Sequence, residues 1–130
     1  MARRIINPWS WQDRFGFVHA NEVTGAERTI FCAGQTSNED GRLAHPGDMR
    51  AQFGKAMDNL ETVLGEAGAG LSDVVRLTYY TTDVDRFVGI YDTVADRLAE
   101  AGCRPATTLL GVARLISPEI LVEIEATAVV

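Results

Sequence analysis

Hydrophobic and polar positions along the chain shift between a period of about two and a period of about 3.6, and the shifts mark its elements. Residues 15–20, Phe-Gly-Phe-Val-His-Ala, and 29–33, Thr-Ile-Phe-Cys-Ala, are short and rich in aromatic and β-branched side chains. Each predicts a strand, and the polar stretch 21–27 with Gly25 predicts the loop of a hairpin between them. Asn38-Glu39-Asp40-Gly41 predicts a second turn, because Asp-Gly tolerates positive φ. After Pro46-Gly47, Asp48 is placed to cap a long helix with an apolar stripe at Met49, Phe53, Met57, Leu60 and Leu64. Gly68 and Gly70 end that helix. Residues 73–81 read as a strand. Asp83 or Asp85 then caps a second helix with Phe87, Ile90, Tyr91, Val94 and Leu98 on one face, stopped by Gly102. Residues 107–112 and 120–129 predict the last two strands.

The predicted order is β-β-α-β-α-β-β. A strand, a helix and a further strand make a crossover unit, so both helices pack on one face of one sheet. The expected class is a two-layer α+β domain. Alternation in the last strand puts Leu121, Glu123 and Glu125 on one side and Ile120, Val122 and Ile124 on the other. Both sides carry large apolar residues, so the face away from the helices also needs a cover. Self-association supplies one economically.

Length and charge narrow the picture. The 130 residues make one domain, 1–130, with 1–14 as an extension before the first predicted strand. No apolar run is long enough for a bilayer, and Met1-Ala2-Arg3-Arg4 has no apolar segment behind it to make an export signal. A cytoplasmic location and no membrane partner are expected. Net charge is −6 with a pI near 4.8, which argues against a nucleic-acid surface. Cys32 and Cys103 read as reduced thiols, and with His19 and His45 they form no metal-ligand spacing. No metal and no cofactor are expected.

Four segments resemble the YjgF/RidA (endoribonuclease L-PSP-like) family, in that family's order. They are Gly16-Phe17-Val18-His19-Ala20; Phe31-Cys32-Ala33-Gly34-Gln35-Thr36; Met57-Asp58-Asn59-Leu60 through Leu71-Ser72-Asp73-Val74-Val75-Arg76-Leu77-Thr78; and Pro105-Ala106 through Val122-Glu123-Ile124-Glu125-Ala126. The resemblance implies a chorismate-mutase-like α+β fold, assembled as a homotrimer with ligand clefts between subunits. It also implies hydrolysis of imines or enamines, with Glu123 in the position of the water-handling glutamate. Ala33 and Gly34 match the family's Ser-Gly turn, whose backbone meets the substrate, and Gly34 permits close approach.

The chemistry such a site needs is modest. The C=N carbon is already electrophilic, so water must be positioned and a proton moved. A carboxylate does both. Read from the residues alone, without the resemblance, Glu123 is a solvated or interface glutamate on an edge strand, since Glu125 shares its side of the strand.

Thr107 is the main departure from the resemblance, standing where the deaminases carry an arginine for the substrate carboxylate. Losing one partner of a buried charge pair costs about 2–5 kcal/mol. Either Arg104 reaches the same pocket, or the ligand lacks a carboxylate there. Thr107 and Thr108 offer hydroxyls but no cation. Phe17 replaces a usual tyrosine, His19 a usual glutamine or arginine, and Tyr91 falls near a usual asparagine. Trp9 and Trp11 either dock the extension on the body or wall a planar ligand. His19 is a structural residue or a general acid–base, and Cys32 has no adjacent base to make it a nucleophile. The candidate site is thus Glu123 as the catalytic group, with Phe17, Ala33, Gly34, Tyr91, Arg104, Thr107 and Thr108 binding substrate. The expected function is a hydrolase of an imine, enamine or related bond, with a substrate other than small carboxylate-bearing imines. A metabolite-binding trimer without catalysis is the alternative. Ribonuclease activity ranks third, since the chain lacks both a basic stripe and a histidine pair.

Overall fold

The computed structural model describes residues 1–130. In chain order the elements are β1 (Ala2–Ile6), β2 (Ala20–Thr24), β3 (Thr29–Gln35), β4 (Asn38–Glu39), β5 (Arg42–Leu43), α1 (Met49–Glu66), β6 (Val74–Thr81), α2 (Val84–Gly89), α3 (Tyr91–Glu100), β7 (Ala106–Gly111) and β8 (Val122–Val129). The main sheet has the order β3-β8-β6-β7. Its only parallel pair is β6 with β7, which the α2–α3 crossover joins.

The long helix forms as the stripe predicts. Asp48 caps it by accepting from the Ala51 N–H at 3.0 Å. Phe53, Ala56, Met57, Leu60 and Leu64 are fully buried against the sheet. From the sheet side Leu77, Tyr79, Val122, Ile124, Ala126 and Ala128 meet them. The two-layer α+β architecture is therefore as expected, with all helices on one face.

Three details differ from the pattern-based reading. The N-terminal hairpin pairs β1 with β2, Ala2 opposite Thr24 and Ile6 opposite Ala20, and not 15–20 with 29–33. Strand β3 instead pairs with β8. Arg3 is the reason that residues before 14 are structural. Its guanidinium donates to the carbonyls of Ser72 (2.9 Å), Val74 (3.2 Å) and Arg104 (2.6 Å), tying β1 to the body. Asn21 donates to Val75 O and Arg104 O beside it.

Residues 15–20 are mostly not strand. A 3-10 turn over Asp13–Phe15 ends at Gly16, whose φ of 78° is left-handed. Val18 alone bridges to Ala106, its N–H donating to Pro105 O at 3.0 Å. Finally, the second helix is two helices. Asp83 caps α2 by accepting from the Arg86 N–H, and Ile90 leaves helical geometry at φ −107°, ψ 15°. Gly89, a poor helix former, precedes that break.

Candidate functional site

Strand β8 presents two chemically distinct faces. Val122, Ile124, Ala126 and Ala128 point into the core, and Glu123, Glu125 and Thr127 lie on the open face. Register sets their neighbours: Glu123 is opposite Tyr80, Glu125 opposite Thr78, and Thr127 opposite both Phe31 and Arg76. The next strand over, β7, adds Thr108 and Leu110 to this face, in register with Thr78 and Tyr80.

Glu123 packs on a bulge of β3. On β3, Cys32 pairs with Ala126 but Gln35 pairs with Ile124, so Ala33 and Gly34 together face one residue of β8. At that bulge a Cβ on residue 34 would stand 2.3 Å from Glu123 Oε2 and 2.8 Å from its Cγ. The carboxylate is packed onto bare backbone that only glycine leaves free. Beyond it, the Tyr80 hydroxyl donates to Glu125 Oε1, and Arg76 donates to Thr108 Oγ1 at 2.7 Å. The bond to Glu125 is the largest influence raising the Tyr80 pKa, with a smaller push from Glu123. A hollow of about 460 Å³ lies over Phe31, Arg76, Tyr80 and Glu125, and Phe31 is 80 % exposed on it.

A second feature sits at the edge strand β7, on the helix side. Leu109 forms the floor of a groove of about 300 Å³ walled by Trp11, Phe15, Phe17, Val88 and Tyr91. Phe15 meets Tyr91 edge-on at 5.7 Å, and Trp11 meets Phe17 edge-on at 5.8 Å. Burial raises the Tyr91 hydroxyl's pKa, so the phenol stays neutral there. Thr107 is on the same face of β7, one pleat from Leu109, opposite Leu77.

His19 belongs to this second feature as a support. Its ring lies 5.0 Å from both tryptophans and 5.6 Å from Phe17. Its backbone N–H donates to Asn7 Oδ1 at 2.8 Å, and Nε2 lies 3.1 Å from Gln12 Oε1. Gln12 is fully buried, and its Nε2 donates to Asp13 Oδ1 at 3.2 Å, which leaves Oε1 as an acceptor and Nε2 of His19 as the donor.

The residues expected to form one site therefore divide. Ala33, Gly34, Thr108 and Glu123 are on β3, β7 and β8 with the open face; Phe17, Tyr91 and Thr107 are on the helix side of β7. Two strand spacings separate β7 from β8, roughly 10 Å, and the sheet stands between the faces. Arg104 joins neither group. It is exposed and lines a separate hollow of about 200 Å³ with Asp13, Leu98 and Cys103, on the other side of Phe17. Both cysteines are free and buried, burial raises both thiols, and that of Cys103 is pushed up to about 12. No three His, Cys, Asp or Glu side chains gather in a way that suits a metal ion.

Phe15, Val88, Leu109 and Tyr80 were not singled out from the sequence. Parity with Thr107 was the available signal for Leu109, and the three-residue step to Tyr91 was that for Val88. Tyr80 needed the β6–β8 register.

Sheet, crossover and bulged glycine beside a strand glutamate define a Rid-type α+β domain. The endoribonuclease L-PSP family profile matches residues 15–130, and the chain belongs to that YjgF/Rid family. A solved Rid-family structure, YyfB from Yersinia pestis, superposes with a TM-score of 0.88 at 37 % identity, covering 100 % of both chains. A RutC family protein of Pyrococcus abyssi is 35 % identical over 101 residues, 76 % of each chain. The 2-iminobutanoate/2-iminopropanoate deaminase of Escherichia coli is 32 % identical over 85 residues, 65 % of this chain and 66 % of that one.

Proposed function

We propose that the protein is a small-molecule hydrolase of imines, enamines or a related bond, working in a cleft between subunits of a homotrimer. The observation that carries this reading is the Glu123 carboxylate packed on the Gly34 bulge of β3. A carboxylate packed beside a strand bulge can hold one water and move one proton. Water adds to the C=N carbon as Glu123 takes its proton. Glu123 returns that proton to the nitrogen, giving a carbinolamine; the hydroxyl proton then passes through Glu123 to the nitrogen as the C–N bond breaks, ammonia leaves and a carbonyl remains. Family membership, with an imine deaminase among the relatives, supports the reaction class.

The split between faces supports the intersubunit cleft. Reacting atoms must come within about 3–3.5 Å, and a ligand in the Leu109 groove is far from its own chain's Glu123. A neighbouring copy brings its Glu123 edge to that groove. The open face, with Phe31 and Leu110 exposed, is the surface that assembly would cover.

Thr107 in place of a cation supports a substrate other than a small carboxylate-bearing imine. Ammonia release from a panel of oxidase-generated imines, measured against the rate in free solution, tests the class. Release above that rate, lost in Glu123→Gln, is expected. No release for any imine, or full turnover in Glu123→Gln, overturns it. The absence of any cation among the groove's lining residues also favours a second reading, a trimer that binds a metabolite without converting it. Thermal stabilisation by a compound that stays intact after prolonged incubation would establish that instead.

A further inference from the structure

We propose that the groove between Trp11 and Leu109 binds the uncharged planar ring of an aryl or cyclic imine, and that the N-terminal segment is the element that selects it. This names the substrate class for the hydrolase reading above and rests on it for the reaction, though not for the binding. All six lining residues, Trp11, Phe15, Phe17, Val88, Tyr91 and Leu109, are apolar or aromatic. Arg104 stands outside, behind Phe17. A carboxylate placed here loses its water and finds no cation among the six lining residues, Arg14 being engaged on the Phe15 ring at 4.6 Å, which disfavours it. An uncharged ring loses nothing comparable.

Size and geometry agree. A dry cavity of roughly 150 Å³ holds a benzene ring; this groove, at about 300 Å³, has room for a ring with a short functional arm. Its rings already stand edge-on to one another, the arrangement that a further aromatic ring extends. Trp11 is 57 % exposed and Val88 56 %, apolar surface that a bound ring would cover.

Trp11 lies in 1–14, ahead of the residues that match the family profile. The wall is preset. His19 holds the segment through Asn7 and the buried Gln12, and its ring lies against both tryptophans. The ligand therefore meets an ordered surface and spends little binding energy on arranging it.

Amide and indole NMR spectra recorded with acetophenone, a neutral aryl ketone of the product class, and with pyruvate, a small keto acid, test the proposal. Trp9→Phe leaves Trp11 as the only indole signal. Acetophenone should shift that signal, pyruvate should not, and Val88→Glu should weaken acetophenone binding at least tenfold. Pyruvate moving Trp11 at equal concentration, acetophenone leaving it unmoved, or Val88→Glu without effect overturns the proposal. Acetophenone binding should survive in Glu123→Gln. If the ring binds but the corresponding aryl imine is not hydrolysed by the wild type, the ring site stands and the hydrolase reading falls.

Discussion

Gly34 and Glu123 occupy each other's space: a Cβ on residue 34 would lie 2.3 Å from Glu123 Oε2. The contact is with the end of a flexible side chain, so Gly34→Ala should move the carboxylate and leave the strand in place. Displacing a reacting group by about 1 Å costs on the order of 100-fold in rate. We expect Gly34→Ala to lower kcat by 10- to 100-fold while the urea midpoint changes by less than about 1 kcal/mol equivalent. Kinetics and equilibrium unfolding on the same preparation check this. Wild-type kcat in the variant would show that the position of Glu123 does not matter to the reaction.

His19→Ala should release the N-terminal segment without unfolding the body. The substitution removes three ring contacts and the hydrogen bond to Gln12, leaving a buried amide oxygen unpaired. The cost should be about 1–3 kcal/mol. Hydrogen exchange should speed up at 7–14 and stay slow in α1. Uniform acceleration throughout the chain would assign His19 to the global core instead.

Much of this was legible in the sequence, and the reasons for the exceptions are physical. The α1 stripe and the strands β6 and β8 follow from local periodicity, because each buries a continuous run of side chains, whereas β7, with no buried residue, follows from its β-branched and apolar composition. Strand β1 does not, since its place is fixed by Arg3 reaching carbonyls of Ser72, Val74 and Arg104, far away in sequence. Phe15 and Phe17 have strand composition, yet Gly16 in a left-handed conformation turns both rings toward the groove. Glu123 was identifiable by its place in the family pattern, but not its separation from Thr107, because both residues are in strands and only the sheet order reveals their opposite faces.

Phe31→Asp tests the cover of the open face. Phe31 is 80 % exposed in a single chain, beside the exposed Leu110 across the hollow. A trimer burying that face should lose it when a carboxylate is placed there. Light scattering should give a trimer for the wild type and a monomer for the variant at micromolar concentration. A wild-type monomer removes the intersubunit cleft altogether, and a Phe31→Asp trimer puts the interface elsewhere.

Alkaline pH should destabilise the fold chiefly through two buried groups, with Cys32 and Tyr91 acting in the same direction. Burial pushes the Cys103 thiol from its ordinary 9.0 up to about 12. The Tyr79 hydroxyl is raised well above its ordinary 10.0, being buried without a hydrogen-bond partner. Above pH 9 the unfolded chain releases the Cys103 proton while the folded chain keeps it. The unfolded state then binds fewer protons, so stability falls as pH rises. The stabilisation is complete below pH 9 and is lost progressively up to about 12 for Cys103, with Tyr79 adding its part above 10. One unit past the unfolded value corresponds to about 1.4 kcal/mol. Urea unfolding at pH 8 and pH 10 should show a loss of about this size. Cys103→Ala will lower stability at both values by its lost packing, yet should flatten the dependence between them. An undiminished pH dependence in that variant would move the titrating group away from Cys103.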